Sequence, residues 1–179
     1  KQVNPDIDFY RELIRKAIDY RKSIGLLSDP DINVYRLIHG EGDGLPGLIV
    51  DFYNGVAVIQ FHSVGFYRIR KEIVSILTDL MKDQIVAVYD KSESTLPHMS
   101  GFVGVNEFLF GNSGPVIVTE NGYKFKIDWT TGQKTGFFID QRENRKLLAG
   151  FTEKKSVLNM FGYTGGFSVY AMQNAALVH

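Results

Sequence analysis

The sequence predicts an α+β domain over residues 1–130. Over residues 131–179 it predicts a connecting segment and the first strand and helix of an open α/β sheet. Three observations carry this. Helical and strand periodicities mix up to Trp129. Two hairpins are signalled by Asn54-Gly55 and Asn121-Gly122. The stretch Val157–Tyr170, VLNMFGYTGGFSVY, passes from an apolar β-type start through Gly162, Gly165 and Gly166 into a helical segment. Such a strand–turn–helix brings backbone close to a ligand and aims amide N–H groups at it, as nucleotide-cofactor sites require.

The elements follow in order. Asp6 or Asp8 caps a helix running to about Ser23, with an apolar stripe of Phe9, Leu13, Ala17 and Ile24 flanked by Ile14 and Ile18. Gly25 and Pro30 end it. Val34–Ile38 alternates as a strand, and His39–Gly47, HGEGDGLPG, is a loop. Leu48–Tyr53 and Val56–Phe61 form the first hairpin. Gly65–Met81 has helical spacing in Phe66, Ile69, Ile73, Ile76, Leu77 and Leu80. Ile85–Tyr89 is a short strand. Residues Lys91–Gly114 are polar and glycine-containing, with Phe108–Phe110 as an apolar island. Val116–Thr119 and Tyr123–Trp129 form the second hairpin, and Asp140–Phe151 is helical. Val157 opens the last unit, and Ala175–Val178 starts another strand.

Composition narrows the function. The 179 residues have zero formal net charge, which does not mark the whole chain as a polyanion binder. Basic clusters at Arg11, Arg15, Lys16, Arg21 and Lys22, and at Arg68, Arg70 and Lys71, fit solvated helix faces better than a nucleic-acid surface. Cysteine is absent, which excludes disulfides, thiolate metal sites and a cysteine nucleophile within these residues. The four histidines lack metal-ligand spacing, so no metal is expected. No apolar run approaches the roughly 18 residues of a membrane span, so no membrane partner is expected. The polar start and the lack of cysteine suit a cytoplasmic protein.

The second notable stretch is Gly132–Arg145, GQKTGFFIDQRENR. It sets Lys134, Thr135, Asp140, Gln141, Arg142, Asn144 and Arg145 around Phe137 and Phe138. Two readings stay open. A ligand-facing loop would use aromatic faces for a flat base and polar groups for carboxylate, ribose or phosphate. Alternatively, a turn leads into a charged helix start, with both phenylalanines in the core. In the loop Glu41–Gly47, the acidic Glu41 and Asp43 fit bonds to nearby backbone N–H groups better than acid–base or metal roles. The glycine turn departs from GxGxxG: Phe161 and Tyr163 stand where a short turn often has glycine. Large side chains there suit packing on an adenine or a methionine moiety.

Three segments together, EGDGLPGLIVDFYNG (Glu41–Gly55), GQKTGFFIDQRENR and VLNMFGYTGGFSVYA (Val157–Ala171), closely resemble one family in order and separation. It is that of the S-adenosylmethionine-dependent large-subunit ribosomal RNA methyltransferases of type I, which make 5-methylcytosine in 23S ribosomal RNA. The resemblance implies an α+β central domain followed by the first βα unit of a Rossmann-like α/β methyltransferase domain. It implies S-adenosyl-L-methionine as cofactor, and ribosomal RNA as partner of the parent protein. It places Asn159, Phe161, Tyr163, Thr164, Gly165 and Gly166 at the methionine and ribose end of the cofactor. Lys134, Thr135, Phe138, Asp140, Gln141 and Arg142 match the family's stretch that packs over the cofactor from outside the sheet.

The family's proline-proline motif and nucleophilic cysteine have no match here, so no catalytic residue is assigned. Carbon-5 of cytosine needs a thiolate added at carbon-6 before it attacks a methyl donor. The chain is therefore expected to be an inactive piece of such an enzyme. The ribose-binding acid, about 20 residues beyond the glycines, would fall past His179. Weak or no cofactor binding by the piece alone follows, as does either self-association through residues 157–178 or folding of that segment back onto the α+β domain. Asp140 and Arg142 are expected to hold the cofactor or order its lid. The alternatives are a non-catalytic RNA- or protein-interaction module of the same fold, and a methyltransferase with another substrate.

Overall fold

The computed structural model describes residues 5–97 and 101–179. Helix α1 spans Ile7–Ser23, and Asp6 caps it by accepting the Phe9 N–H at 2.9 Å. Strands β1 (Val34–His39), β2 (Leu48–Tyr53) and β3 (Val56–Phe61) follow. Helices α2 (Val64–Arg68) and α3 (Arg70–Leu80) then lead to β4 (Ala87–Lys91) and β5 (Asn106–Phe110). These strands make one five-stranded sheet in sequence order. Its pairs are antiparallel except β3–β4, which is parallel and spanned by the two helices.

The sheet is a middle layer. One face packs Leu37, Ile59 and Phe61 against Ile14 and Ile18 of α1 and Ile73 and Leu77 of α3. The other face carries Val34, Tyr53, Val56, Val58 and Ala87. It is covered by the hairpin β6 (Val116–Glu120) and β7 (Tyr123–Ile127), together with Trp129, Phe137, Ile139 and Tyr170. Covering both faces explains why all six residues of β3 are buried and why all but Gln60 are apolar, with no alternation. Both hairpins turn where the Asn-Gly pairs lie, with φ of 42° and 99° at Asn54 and Gly55 and 50° and 80° at Asn121 and Gly122.

The remaining chain forms helix α4 (Arg142–Ala149), β8 (Ser156–Val157), α5 (Gly166–Ala171) and β9 (Leu177–Val178). β8 and β9 pair in parallel, so the last unit is a β–turn–α–β start.

Two expectations need correction, and a third gains detail. The single helix Gly65–Met81 is two, broken at Ile69 (φ −103°, ψ 23°). The Arg70 guanidinium bonds the Tyr67 carbonyl at 3.2 Å and lies over the Tyr67 ring, taking the acceptor that a continuing helix would use. The apolar island 108–110 belongs to an edge strand, half exposed and paired with β4. The loop after β1 holds a 3₁₀ turn, Gly40–Asp43, in which Asp43 accepts the His39 N–H at 2.6 Å and pairs with Arg21. Asp43 is a backbone and ion-pair anchor, as the glycine-turn reading held.

Asp90 on β4 is wholly buried. The Ser92 hydroxyl donates to its Oδ1, while Oδ2 meets no partner among the described residues. Burial pushes this carboxyl up to about 6 from 3.8. The folded chain therefore keeps a proton that the unfolded chain has released. The stability this confers is full below the unfolded value and is lost as pH rises through about 6. Asp90→Asn removes the buried charge. It is expected to raise the melting temperature at about pH 8 and change it little at about pH 4. Equal shifts at both pH values, in thermal melts, would count against the charge argument.

Candidate functional site

Two loops face each other across a cavity of about 650 Å³. The first leaves β7 at Asp128, whose carboxylate accepts the Thr130 N–H at 2.9 Å and the Thr131 hydroxyl at 3.1 Å. These bonds, the Thr130 hydroxyl foremost, hold its pKa below the usual carboxylate range. Gly132 closes the turn: a Cβ there would lie 2.6 Å from the Asp128 carbonyl oxygen. Lys91 Nζ donates to the Gly132 carbonyl. Thr135 is buried, its hydroxyl 2.6 Å from Asp51 Oδ2 and 2.8 Å from the Tyr53 hydroxyl. Asp51, wholly buried, also receives Arg36 through Nε at 2.8 Å and Nη2 at 3.0 Å. This network fastens the loop to the sheet.

Gly136, at φ +125°, then turns the chain into the aromatic pair, whose two rings point opposite ways. Phe137 enters the core against Phe125, 5.0 Å between centroids, while Phe138 faces the cavity. Both readings of the FF pair are thus half right. The Lys134 ammonium sits 4.4 Å from the Phe138 ring centroid and 3.6 Å from Asp140 Oδ2.

The second loop is the glycine turn after β8. Asn159 shapes it from behind through its amide, 2.8 Å from Ser168 Oγ. Phe161 and Tyr163 adopt φ of 60° and 50°, a left-handed conformation that costs bulky residues energy. Gly165, at φ 73°, carries the same geometry without penalty. The Tyr163 hydroxyl accepts the Gln133 N–H at 2.6 Å, and its ring meets Phe138 edge-on at 5.1 Å. Tyr163 thereby joins the two loops.

The structure brings Lys134, Phe138, Asp140, Gln141, Phe161, Tyr163, Thr164 and Gly166 to the cavity wall. It does not bring Thr135, Asn159, Gly165 or Arg142 there. Arg142 lies outside the wall of this cavity. Its Nη2 donates to the Val34 carbonyl, and its Nε lies 3.6 Å from the buried Glu120. It braces the hairpin against the sheet. Arg145, three residues on, lines the cavity along with Gln133, Gly162 and Phe167. The i,i+3 spacing puts both arginines on one helix face towards Glu120, which is the signal that could have found Arg145. Among the described residues, no group of three or more His, Cys, Asp or Glu is placed to hold a metal. No helix of the described residues is long and apolar enough to cross a membrane.

Phe161 is 96% exposed, so its left-handed backbone is not offset by packing. Phe161→Gly relieves roughly 1–2 kcal/mol of strain and adds about 0.4–1 kcal/mol of unfolded-chain entropy. The expected net is a stability gain of up to about 1.6 kcal/mol, read by urea unfolding. A destabilised variant would show that the ring packs on its own chain.

A family model described as S-adenosylmethionine-dependent methyltransferase matches residues 35–178. The ribosomal RNA large subunit methyltransferase I of Shewanella frigidimarina is 40% identical over 178 residues, covering 98% of this chain and 44% of its own. The protein of the same name from Pseudoalteromonas translucida is 35% identical over 170 residues, covering 94% and 42%. Two solved structures are provisionally described as methyltransferases. One, from Streptococcus mutans, has a TM-score of 0.84 and 28% identity, covering 99% of this chain and 45% of its own. The other, complexed with SAH, has a TM-score of 0.85 and 27% identity, with the same coverages. The chain thus spans less than half the length of these relatives.

Proposed function

We infer function from family membership: the chain belongs to the S-adenosylmethionine-dependent methyltransferases and shares their Rossmann-like fold. We propose that the protein carrying it methylates large-subunit ribosomal RNA in the cytoplasm, forming 5-methylcytosine in 23S RNA. The cavity between the two loops is the observation that carries this reading. Its make-up suits the cofactor: flat apolar rings for an adenine and a thioether, and both charge signs for an amino acid's carboxylate and ammonium. The bound cofactor supplies an electrophilic methyl group.

In this reading Phe138, Phe161 and Tyr163 offer ring faces, and Lys134 meets the carboxylate. Asp140 and Gln141 bond hydroxyl or ammonium groups. Thr164 and Gly166 let backbone approach from the glycine turn. Thr135, Asn159, Gly165 and Arg142 hold the walls rather than the ligand. Residues 1–130 act as a central domain and residues 131–179 as the start of the catalytic one.

The test is calorimetric titration of the intact protein with S-adenosylmethionine, followed by mass mapping of 23S RNA after reaction. Binding with methyl transfer to cytosine is expected. Binding with transfer to another base or molecule would support a methyltransferase of different substrate. No binding would leave an interaction module. The 179-residue chain by itself is proposed to be inactive on cytosine carbon-5, because it holds no cysteine.

The same chain alone is proposed to pair with a second copy through its last unit. Leu158, Met160, Phe161, Met172 and Leu177 are exposed there, and β8–β9 presents open edges. Light scattering should show mass rising with concentration. A monomer at every concentration would refute this.

A further inference from the structure

A second cavity, of about 460 Å³, opens beside the first and shares Lys134 with it. Its wall includes Arg36, Glu41, Ile49, Gln60 and His62. Nothing in the cofactor reading uses it. Gln60 on β3 is only 8% exposed, and it lines the cavity. Its amide can both donate and accept a hydrogen bond there. Its strand neighbours Val56 and Val58 are covered by the second core, so Gln60 stands where that cover ends.

Arg36 is held rigid by two bonds to Asp51, which occupy Nε and Nη2. Its Nη1 remains, 3.5 Å from His39 Nδ1. Desolvation holds the His62 imidazole below its ordinary pKa, with Glu41 and Arg36 pulling in opposite directions. A neutral imidazole both donates and accepts. The wall therefore combines Arg36 and Lys134, the Glu41 carboxylate and two neutral hydrogen-bonding groups, next to the cavity proposed for the methyl donor.

We propose that this second cavity receives a nucleotide of the RNA strand, with Gln60 and His62 bonding a base edge and Arg36 meeting a phosphate. The idea rests on the RNA methyltransferase reading and locates the RNA on the five-stranded sheet. Adjacency supports it, because a methyl acceptor must enter beside the donor. Fixed cations suit phosphates, and neutral amide and imidazole groups suit base edges.

The test uses the intact protein and a fluorescent single-stranded RNA of about 16 nucleotides. Anisotropy gives RNA affinity, and calorimetry gives the S-adenosylmethionine dissociation constant. Gln60→Leu removes the cavity-lining amide at similar volume, so the fold should survive. His62→Ala is the second variant. Each is expected to weaken RNA binding about 5- to 10-fold, with cofactor affinity unchanged. RNA affinity within about twofold of the unaltered protein in both variants would overturn the proposal. A parallel loss of cofactor affinity would also overturn it, by assigning the cavity to the cofactor. If the unaltered protein binds RNA but not the cofactor, the methyltransferase reading fails on its own, and the variants still judge the cavity.

Discussion

Glu120→Ala is expected to cost roughly 3–5 kcal/mol of folding stability, because it strips the partner from a buried arginine. Glu120 ends β6 and is wholly buried. It accepts Arg145 Nε and Nη2 at 2.8 Å each, a bidentate pair, and the Tyr170 hydroxyl at 3.1 Å. Arg142 Nε stands 3.6 Å away. One carboxylate thus ties the hairpin to α4 and α5, so its loss should loosen three elements. Burial beside this carboxylate pushes the Tyr170 hydroxyl well above the usual phenol range.

The alanine variant leaves Arg145, 2% exposed, as an uncompensated buried cation. Urea unfolding measures the cost. The double variant Glu120→Ala with Arg145→Met should recover much of it, since an apolar replacement of both partners is often near neutral. A single-variant loss below about 1 kcal/mol would place the pair among weak surface bridges. Arg145 also donates Nη1 to the Phe138 carbonyl at 3.0 Å, so the same change should disturb the first cavity wall.

The elements that the sequence made legible are those set by local chemistry. Asn-Gly pairs adopt positive φ at little cost, so both hairpins could be placed to within a residue or two. Asp6 could be read as a cap because a short carboxylate satisfies a free helix N–H. What stayed hidden depends on tertiary neighbours. The break at Ile69 comes from the Arg70 side chain taking the Tyr67 carbonyl. Strand β5 exists because β4 offers it an edge. At the site, the two cavity-lining stretches were visible as aromatic and glycine-rich segments. The split of Phe137 from Phe138 was not, because which ring enters the core depends on where Phe125 and the second core lie. Arg142 looked like a ligand clamp because a guanidinium suits a carboxylate. Its carboxylate is Glu120 of its own chain, 22 residues upstream, together with a backbone carbonyl of β1. No motif announces such a partner.

That relocation moves the expected cofactor defect from Arg142 to Tyr163. Among the described residues, Tyr163 is the one side chain that bonds the first loop from the second: its hydroxyl takes the Gln133 N–H, and its ring meets Phe138 edge-on. In the intact protein Tyr163→Ala should weaken S-adenosylmethionine binding about 10- to 100-fold, or roughly 1.4–2.8 kcal/mol. Two losses combine: a ring face for the ligand, and the tie that sets the cavity's width. Tyr163→Phe separates them, since it keeps the ring and removes only the hydroxyl acceptor. About one hydrogen bond's worth, a 3- to 10-fold loss, is expected there. Arg142→Ala should leave cofactor affinity within a few fold while lowering folding stability, because its partners lie between hairpin and sheet. Calorimetry on the three variants, beside their unfolding curves, decides the matter. If Tyr163→Ala binds as tightly as the unaltered protein while Arg142→Ala does not, the ligand lies on the other side of α4. The cavity between the two loops is then not the cofactor site.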